Sequence, residues 1–244
     1  MFRASLARVL QDALLLMGVV VLLYVGDSAL LLHRNEGVLF PLRPARWTVD
    51  LGARDFRLIG KHVFIPNPLF PHRPLFRLTW QLTGNPADTA EDWDAHREAV
   101  RPLAPMVGLM AAALFVLLPL GFFTRLGDPA LVAALVLLYP AIIAALTWIW
   151  RSRLRFGLNG AQFAALAFES LVCSPLALNL ARKLCARIPV REDLVGASRR
   201  LQRADEWQET RSKIVERLDE AIEAEEEGSP RMANLTDRRR RLLE

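Results

Sequence analysis

Two long stretches of this chain carry no charge, and they lie almost back to back. Pro105 to Thr124 and Pro129 to Trp150 are apolar throughout, separated only by the polar turn Arg125-Leu126-Gly127-Asp128. Each is about 20 residues, or roughly 30 Å as helix, which matches the hydrocarbon core of a bilayer. A buried helix in a soluble domain rarely needs so long a charge-free run, let alone two joined by four residues. The pattern predicts a transmembrane helical hairpin, and with it a mainly α-helical polytopic membrane protein.

Composition alone would not give that answer. A chain of 244 residues with 52% hydrophobic content could be one or two soluble domains. Here the apolar residues come in blocks, and the charges fill the gaps and the C-terminal quarter. The net charge of +5 rests almost wholly on Arg, with Lys only at Lys61, Lys183 and Lys213. Arg beside apolar segments reads as membrane orientation rather than nucleic-acid binding. Cys173 and Cys185 on one continuous helix would lie about 18 Å apart, beyond disulfide reach. His33, His62, His72 and His96 show no metal-ligand spacing. No P-loop, dinucleotide fingerprint, HExxH or nucleophile elbow is present. No cofactor, metal or catalytic residue is therefore expected. A pairing of His62 or His72 with Asp50 or Asp55 is the only acid–base arrangement that can be drawn, and it has no motif behind it.

The N-terminal block carries Arg3 and Arg8 ahead of its apolar run. From Asp12 to Asp27 it is too short to span, so the expected first crossing runs from Ala13 to Leu32. No small-x-small cleavage site follows it, which favours a retained helix over a signal peptide. Asp27 then lies about a turn and a half inside the boundary, either snorkelling to the headgroups or meeting a partner within the bundle.

Residues 33–104 read as a strand-containing extramembrane region. Phe76, Leu78, Trp80 and Leu82 alternate with Arg77, Thr79, Gln81 and Thr83, and Trp47, Val49 and Leu51 alternate over a shorter run. His62-Val63-Phe64-Ile65 is a third candidate strand. So small a unit needs a surface to lean on: the membrane, the spans or another subunit. Within it, Pro66-Asn67-Pro68-Leu69-Phe70-Pro71-His72-Arg73-Pro74 is too rich in proline for helix or central strand. It is either a stiff connector or a docking segment presenting Phe70, His72 and Arg73 to a partner. Thr89-Ala90-Glu91-Asp92 resembles a capping box and predicts a short amphipathic helix to about Arg101.

Inside the hairpin, Pro119 and Pro140 predict kinks, and Asp128-Pro129 predicts an N-cap for the second arm. Small residues at Gly108, Ala111 and Ala112, at Ala130, Ala133 and Ala134, and at Ala141, Ala144 and Ala145 predict close helix contact. Trp148 and Trp150, followed by Arg151, Arg153 and Arg155, make the expected interfacial anchor.

Residues 151–187 hold a fourth apolar block, Ala161 to Leu180, which can span, re-enter or lie in the interface. It contains Glu169, an acid midway along an apolar run and so a candidate intramembrane functional group beside Asp27. Charge placement decides the count. With three crossings, residues 33–104, the Arg151/Arg153/Arg155 cluster and Arg182, Lys183 and Arg187 share one face, which the positive-inside rule makes cytoplasmic. Four crossings would export the Arg cluster. The expected setting is a plasma membrane, as in a bacterium, with residues 188–244 a charged helical tail in the cytoplasm. Along that tail Leu194, Leu201, Val215, Leu218 and Ile222 mark an imperfect apolar stripe. The acidic block Glu223 to Glu227 ends at Gly228-Ser229-Pro230, and the basic run Arg238 to Arg241 follows.

The organisation expected is thus a first span (1–32), the strand-containing region (33–104), the hairpin (105–150), the Arg cluster with the fourth block (151–187) and the tail (188–244). Its partners are the lipid bilayer and a protein, either another chain or a second copy. The function expected is that of a membrane anchor or scaffold, or an assembly subunit. The alternative is a small transporter, channel or ion-coupled protein using Glu169 and Asp27.

Overall fold

A computed structural model of the chain describes residues 2–43, 46–53, 56–80, 91–188, 190–225 and 229–243, with side chains placed from Gln11 onward except at Arg43 and Arg231. The described residues are mostly helical, with a small sheet region. They divide into a helical unit (Met1–Ala29, Ile65–Pro74, Asp94–Ile188) and a second unit (Leu30–Phe64, Leu75–Trp93, Pro189–Glu244).

The helical unit holds three runs long and apolar enough to cross a membrane: Gln11–Ser28, Leu103–Phe123 and Gly127–Phe156. The first lies in helix α1 (Phe2–Ser28), which stops four residues short of the expected Leu32. The backbone amide of Ala29 and the Ser28 hydroxyl both donate to the Val25 carbonyl, at 3.0 and 2.9 Å. Leu30–Leu32 then leave the helix as a strand. Three leucines satisfy either fate; what selects the strand is a partner, because in the sheet Leu32 becomes fully buried.

A short helix α2 (Trp93–Val100) leads into the hairpin. The first arm is α3 (Leu103–Ala112), a π-helical turn (Ala113–Leu117) and α4 (Leu118–Phe123). The π turn sits just before Pro119. That ring has no N–H for the carbonyl of residue 115, and the widened turn relieves the clash an α-helix would suffer there. Pro140 stays inside α5 (Gly127–Ser152). That helix begins at Gly127 with Leu126 at its N-cap and no capping side chain, so Asp128 is not the cap. Thr124 closes the preceding arm instead, donating to the Leu120 carbonyl at 2.5 Å and accepting from the Leu126 amide at 3.2 Å. The small-residue faces are used selectively. Ala130, Ala134, Ala141 and Ala145 are buried, as is Gly121, where a Cβ would come within 2.5 Å of the Leu131 side chain. On the first arm, Leu103, Val107 and Met110 are buried, while Gly108 faces open space.

The fourth apolar block is broken. Helix α6 (Gly160–Val172) opens with the expected Asn159–Gln162 capping box, at 2.8 and 3.0 Å. It ends at Cys173, and α7 (Ser174–Ala177) and α8 (Leu180–Cys185) follow as separate short turns. Pro175 cannot continue the helix, so no piece of the block is long enough to cross. Neither Cys173 nor Cys185 is in a disulfide.

The second unit contains two three-stranded antiparallel sheets. One has strand order β1 (Leu30–Leu32), β5 (Lys61–Phe64), β4 (Arg57–Leu58). The other has the order β3 (Arg46–Asp50), β2 (Glu36–Arg43), β6 (Phe76–Thr79). Strand β6 follows the alternation from Phe76; Leu82 and its neighbours lie outside the described residues. β2 holds Pro41, which is tolerated at the register shift between Pro41 and Arg43. Leu32, Val38, Phe64 and Leu75 form a core, and the rings of Trp47, Phe76 and Trp93 meet at 5.3–6.1 Å.

The sheets do lean on something: the chain's own C-terminal segment. Helix α9 (Leu194–Leu201) packs on β2 and β3, α10 (Ala204–Glu223) on α9 and β3, and α11 (Pro230–Leu243) on α10. Leu194, Ile214 and Leu218 are buried, and Arg217 donates to the carbonyls of Arg34, Glu36 and Leu51. The basic run folds back, but onto Asp193 and Asp219, which Arg238 and Arg239 reach at 3.2 and 2.5 Å. Part of the acidic block that the sequence offered as its partner, Glu226 and Glu227, lies outside the described residues.

Candidate functional site

The helical unit gathers its polar side chains where α1 ends. Asp27 is the next-to-last residue of α1, Glu169 lies in α6 and Lys183 in α8. The Lys183 ammonium joins the two acids, 2.9 Å from Asp27 Oδ1 and 2.7 Å from Glu169 Oε1. Asn179 adds a donor, its Nδ2 lying 2.8 Å from Asp27 Oδ2 and 3.1 Å from the Tyr24 carbonyl oxygen. The break after α6 makes this possible. A continuous helix would carry Lys183 about 21 Å along the axis from Glu169, whereas the turns at α7 and α8 bring it back.

The neighbouring residue, Arg182, faces the proline-rich strap. It is 7% exposed and donates to the carbonyls of Asn67 and Phe70 at 2.9 and 3.1 Å, and to Asn179 Oδ1 at 3.1 Å. The Tyr24 hydroxyl donates to the Pro68 carbonyl at 2.6 Å. Burial pulls the Arg182 guanidinium below its ordinary range, opposed by the Tyr24 oxygen and by Asp27. Two successive turns, Phe70 amide to Asn67 carbonyl and Arg73 amide to Phe70 carbonyl, shape the strap. Prolines forbid regular structure here, so side chains from α1 and α8 supply the missing hydrogen bonds.

Both candidate acids from the sequence therefore meet in one place. Sequence periodicity could not find their partner: Lys183 is 14 residues from Glu169, past a proline. Glu169 is 39% exposed and Asp27 is 17% exposed. With Arg182 and Lys183 the cluster carries two positive and two negative charges, a balanced arrangement. The candidate docking trio lies in the strap. Phe70, His72 and Arg73 are half-buried and stack on one another, with the Arg73 guanidinium 4.0 Å from the Phe70 ring centre and His72 edge-on at 6.3 Å. Leu69, at 80% exposure, is the side chain the strap offers outward.

The residues expected to anchor the end of the hairpin pack against one another and against α6. Arg153 lies over the Trp150 ring at 3.9 Å, Trp150 meets Phe163 of α6 at 4.9 Å, and Trp148 meets Phe156 at 5.8 Å. Arg155 donates to the Ala95 carbonyl at 3.5 Å, and Arg151 is exposed.

The pairing of His62 or His72 with Asp50 does not form. His62 uses Nδ1 on the Ala53 carbonyl at 3.0 Å, its Nε2 has no partner, and Asp50 accepts from the Gly52 amide at 2.7 Å. Asp55 lies outside the described residues. No group of three or more His, Cys, Asp or Glu able to hold a metal is found among the described residues. In the second unit, Glu192 accepts from the Glu91 amide, Trp93 Nε1 and both Arg200 Nε and Nη2, at 2.8–3.2 Å. Burial raises its carboxyl, but these donors outweigh that and hold it below the usual range.

No protein-family model, curated protein or solved structure matches this chain.

Proposed function

We propose that the chain is a three-crossing membrane anchor that presents a folded extramembrane unit to a protein partner or to a second copy of itself. One observation carries the reading. Residues 30–64, 75–93 and 189–244 belong to one compact unit; the short strap Ile65–Pro74 lies between the first two parts, and Asp94–Ile188, with the hairpin and the broken fourth block, lies between the last two. Segments that fold together must share a side of the bilayer. An even number of crossings between them satisfies that, and a spanning fourth block would not. The positive-inside rule makes that side the cytoplasm. The exposed α11 arginines, Arg240 and Arg241, belong to the surface a partner meets.

Deleting residues 191–244 is a poor test, because it removes Leu194, Arg217 and Leu218 from the unit's own interior. Single cysteines at Lys61, Leu126 and Glu209, in a background of Cys173→Ser and Cys185→Ala, are better. An impermeant maleimide applied to sealed vesicles of known orientation should label positions 61 and 209 from one side and 126 from the other. Labelling of 61 and 209 from opposite sides overturns the topology. A photo-crosslinker at Arg240 or Arg241 in native membranes should give a band for a partner or a dimer. Its absence at both overturns the assembly role.

The meeting of Asp27 and Glu169 at one lysine is what supports ion-coupled transport as a second reading. Its discriminating measurement is Glu169→Gln in proteoliposomes: altered ion or proton flux favours transport, and unchanged flux with normal folding favours the anchor.

A further inference from the structure

We propose that the broken fourth block is a re-entrant element with one face of α6 seated against lipid acyl chains. In this arrangement α6 dips into the bilayer from the side where α5 ends, the chain turns at α7, and α8 returns to the same side. The proposal rests on the membrane reading above. Ala161, Ala164, Ala165, Phe168, Leu171 and Val172 fall at i, i+3, i+4, i+7, i+10 and i+11, a single stripe of an α-helix, and all six are exposed. Phe168 and Val172 stand at 70% and 69% exposure. The other side of the helix holds Leu166 and Ser170, both buried. A surface helix in water turns its apolar stripe inward and its polar residues outward. On α6 the exposed stripe is wholly apolar. It also continues the surface of the crossings themselves, because Phe163 of α6 meets Trp150 of α5, itself 43% exposed.

Contacts within the helical unit give the depth. Near its start α6 is level with the end of α5, through Phe163 and Trp150. Near its end Glu169 meets Asp27 through Lys183, and α1 ends well inside the bundle. The Tyr24 ring lies 5.6 Å from that of Phe115. Tyr24 is about 6 Å of helix from the end of α1, whereas Phe115 is about 18 Å into the first arm from Leu103. Successive crossings run antiparallel, so α1 stops about 12 Å short of the level where that arm begins. To reach Asp27, α6 has descended to that depth. From there α7 packs on α1 and α5, and α8 packs on α3, the outer half of the first arm. Entry beside the end of α5 and exit beside α3 lie on one side, as three crossings require. Irregular backbone at such depth needs its hydrogen bonds supplied by the protein. At the break the amides of Cys173, Leu176 and Asn179 donate to the carbonyls of Glu169, Cys173 and Leu176, at 2.9, 2.9 and 3.2 Å. Glu169 is the one charged residue of α6; it lies off the apolar stripe, is neutralised by Lys183 and, at 39% exposure, keeps a path to water.

The test uses the full chain in phosphatidylcholine–phosphatidylglycerol nanodiscs, in the cysteine-free background. Ala164→Cys, Phe168→Cys and Val172→Cys each carry an NBD fluorophore on the exposed stripe. Val136→Cys on α5, 66% exposed, is the lipid-facing control, and Glu209→Cys on α10, its side chain 70% exposed, is the water-facing one. Labels at 168 and 172 should be quenched by doxyl-labelled lipid several-fold more strongly than the label at 209. The ratio of quenching by a doxyl group near the acyl-chain end to that by one near the headgroup should rise from 164 to 172. An equal ratio at all three positions means that α6 lies along the surface, and overturns the re-entrant element. Quenching like that of 209, with 136 still quenched by lipid, overturns it too and leaves the membrane anchor standing. Labels at 168 and 172 shielded from both lipid and aqueous quenchers mean that protein covers the stripe, which also overturns it. A label at 136 that lipid does not quench overturns the membrane reading and this proposal with it.

Discussion

Lys183 is the residue on which the polar cluster depends. It neutralises an acid at the end of α1 and another on α6, and it does so at 21% exposure. Take the ammonium away and two carboxylates share one site with only Asn179 as a donor to Asp27. We expect Lys183→Met to cost about 1–3 kcal/mol, less than for a fully buried pair because Glu169 reaches water. Removing Asp27's charge at the same time should restore more of the loss than removing that of Glu169, since Asp27 is the more enclosed of the two. Thermal unfolding of the single and double variants in detergent measures this. A Lys183→Met protein as stable as its parent would show that the cluster is a surface ornament. The acids themselves were legible in the sequence, because charge within an apolar block stands out. Lys183, Asn179, Arg182 and Tyr24 were not, since each belongs to the cluster through tertiary contact and none breaks a local pattern.

At the scale of elements, turn chemistry gives a direct test. Ile59 has a φ of +53° in the turn between Leu58 and Lys61 and is 85% exposed. Ile59→Asn should stabilise the second unit by about 1 kcal/mol, because it relieves a left-handed backbone on a β-branched residue. A lower unfolding midpoint would mean that the side chain is packed and not exposed. The elements also show what a sequence can and cannot convey. The hairpin was readable because lipid-length, charge-free runs have no competing explanation. The fate of Leu30–Leu32 was not, because continuation of α1 and a buried strand ask for the same residues. β2 is not legible in the sequence, because Val38, Leu39 and Phe40 are consecutive and Pro41 follows, which hides the period of two. The fourth block was ambiguous in composition, and Pro175 decided it only once Cys173 was seen outside helical geometry. The tail helices were readable as helices. Their role as the cover of the sheets was not, because an amphipathic stripe says that a partner exists without saying which.

At the scale of the molecule, the second unit is assembled from segments far apart in the chain, and several of its long-range ties are titratable. Glu192 joins residues 91–93 to α9, and His62 is buried in β5. Burial pulls the His62 ring below its ordinary value; the Ala53 carbonyl opposes this, and Arg217 and Arg57 add to it. Folded His62 thus stays neutral at a pH where the unfolded chain binds a proton. Its contribution to stability is complete above about pH 6.5 and is lost as pH falls below that. Glu192 acts in the same sense lower down: its depressed carboxyl contributes fully above about pH 4.5 and loses that contribution as pH falls through the folded value. His72 is also lowered, by burial and then by Arg73 and Arg182, so the strap weakens over the same range as His62. The hairpin helices, Leu103–Phe123 and α5, depend on apolar burial and backbone hydrogen bonds that no proton disturbs. Acid should therefore open the second unit and the strap before the hairpin. Limited proteolysis at pH 7 and pH 5 checks this. Cleavage should rise within residues 30–93 and 189–243 while residues 103–156 stay protected, and His62→Gln should reduce the difference between the two pH values. Equal protection of the second unit at both pH values, or loss of the hairpin first, would refute this account of its acid sensitivity.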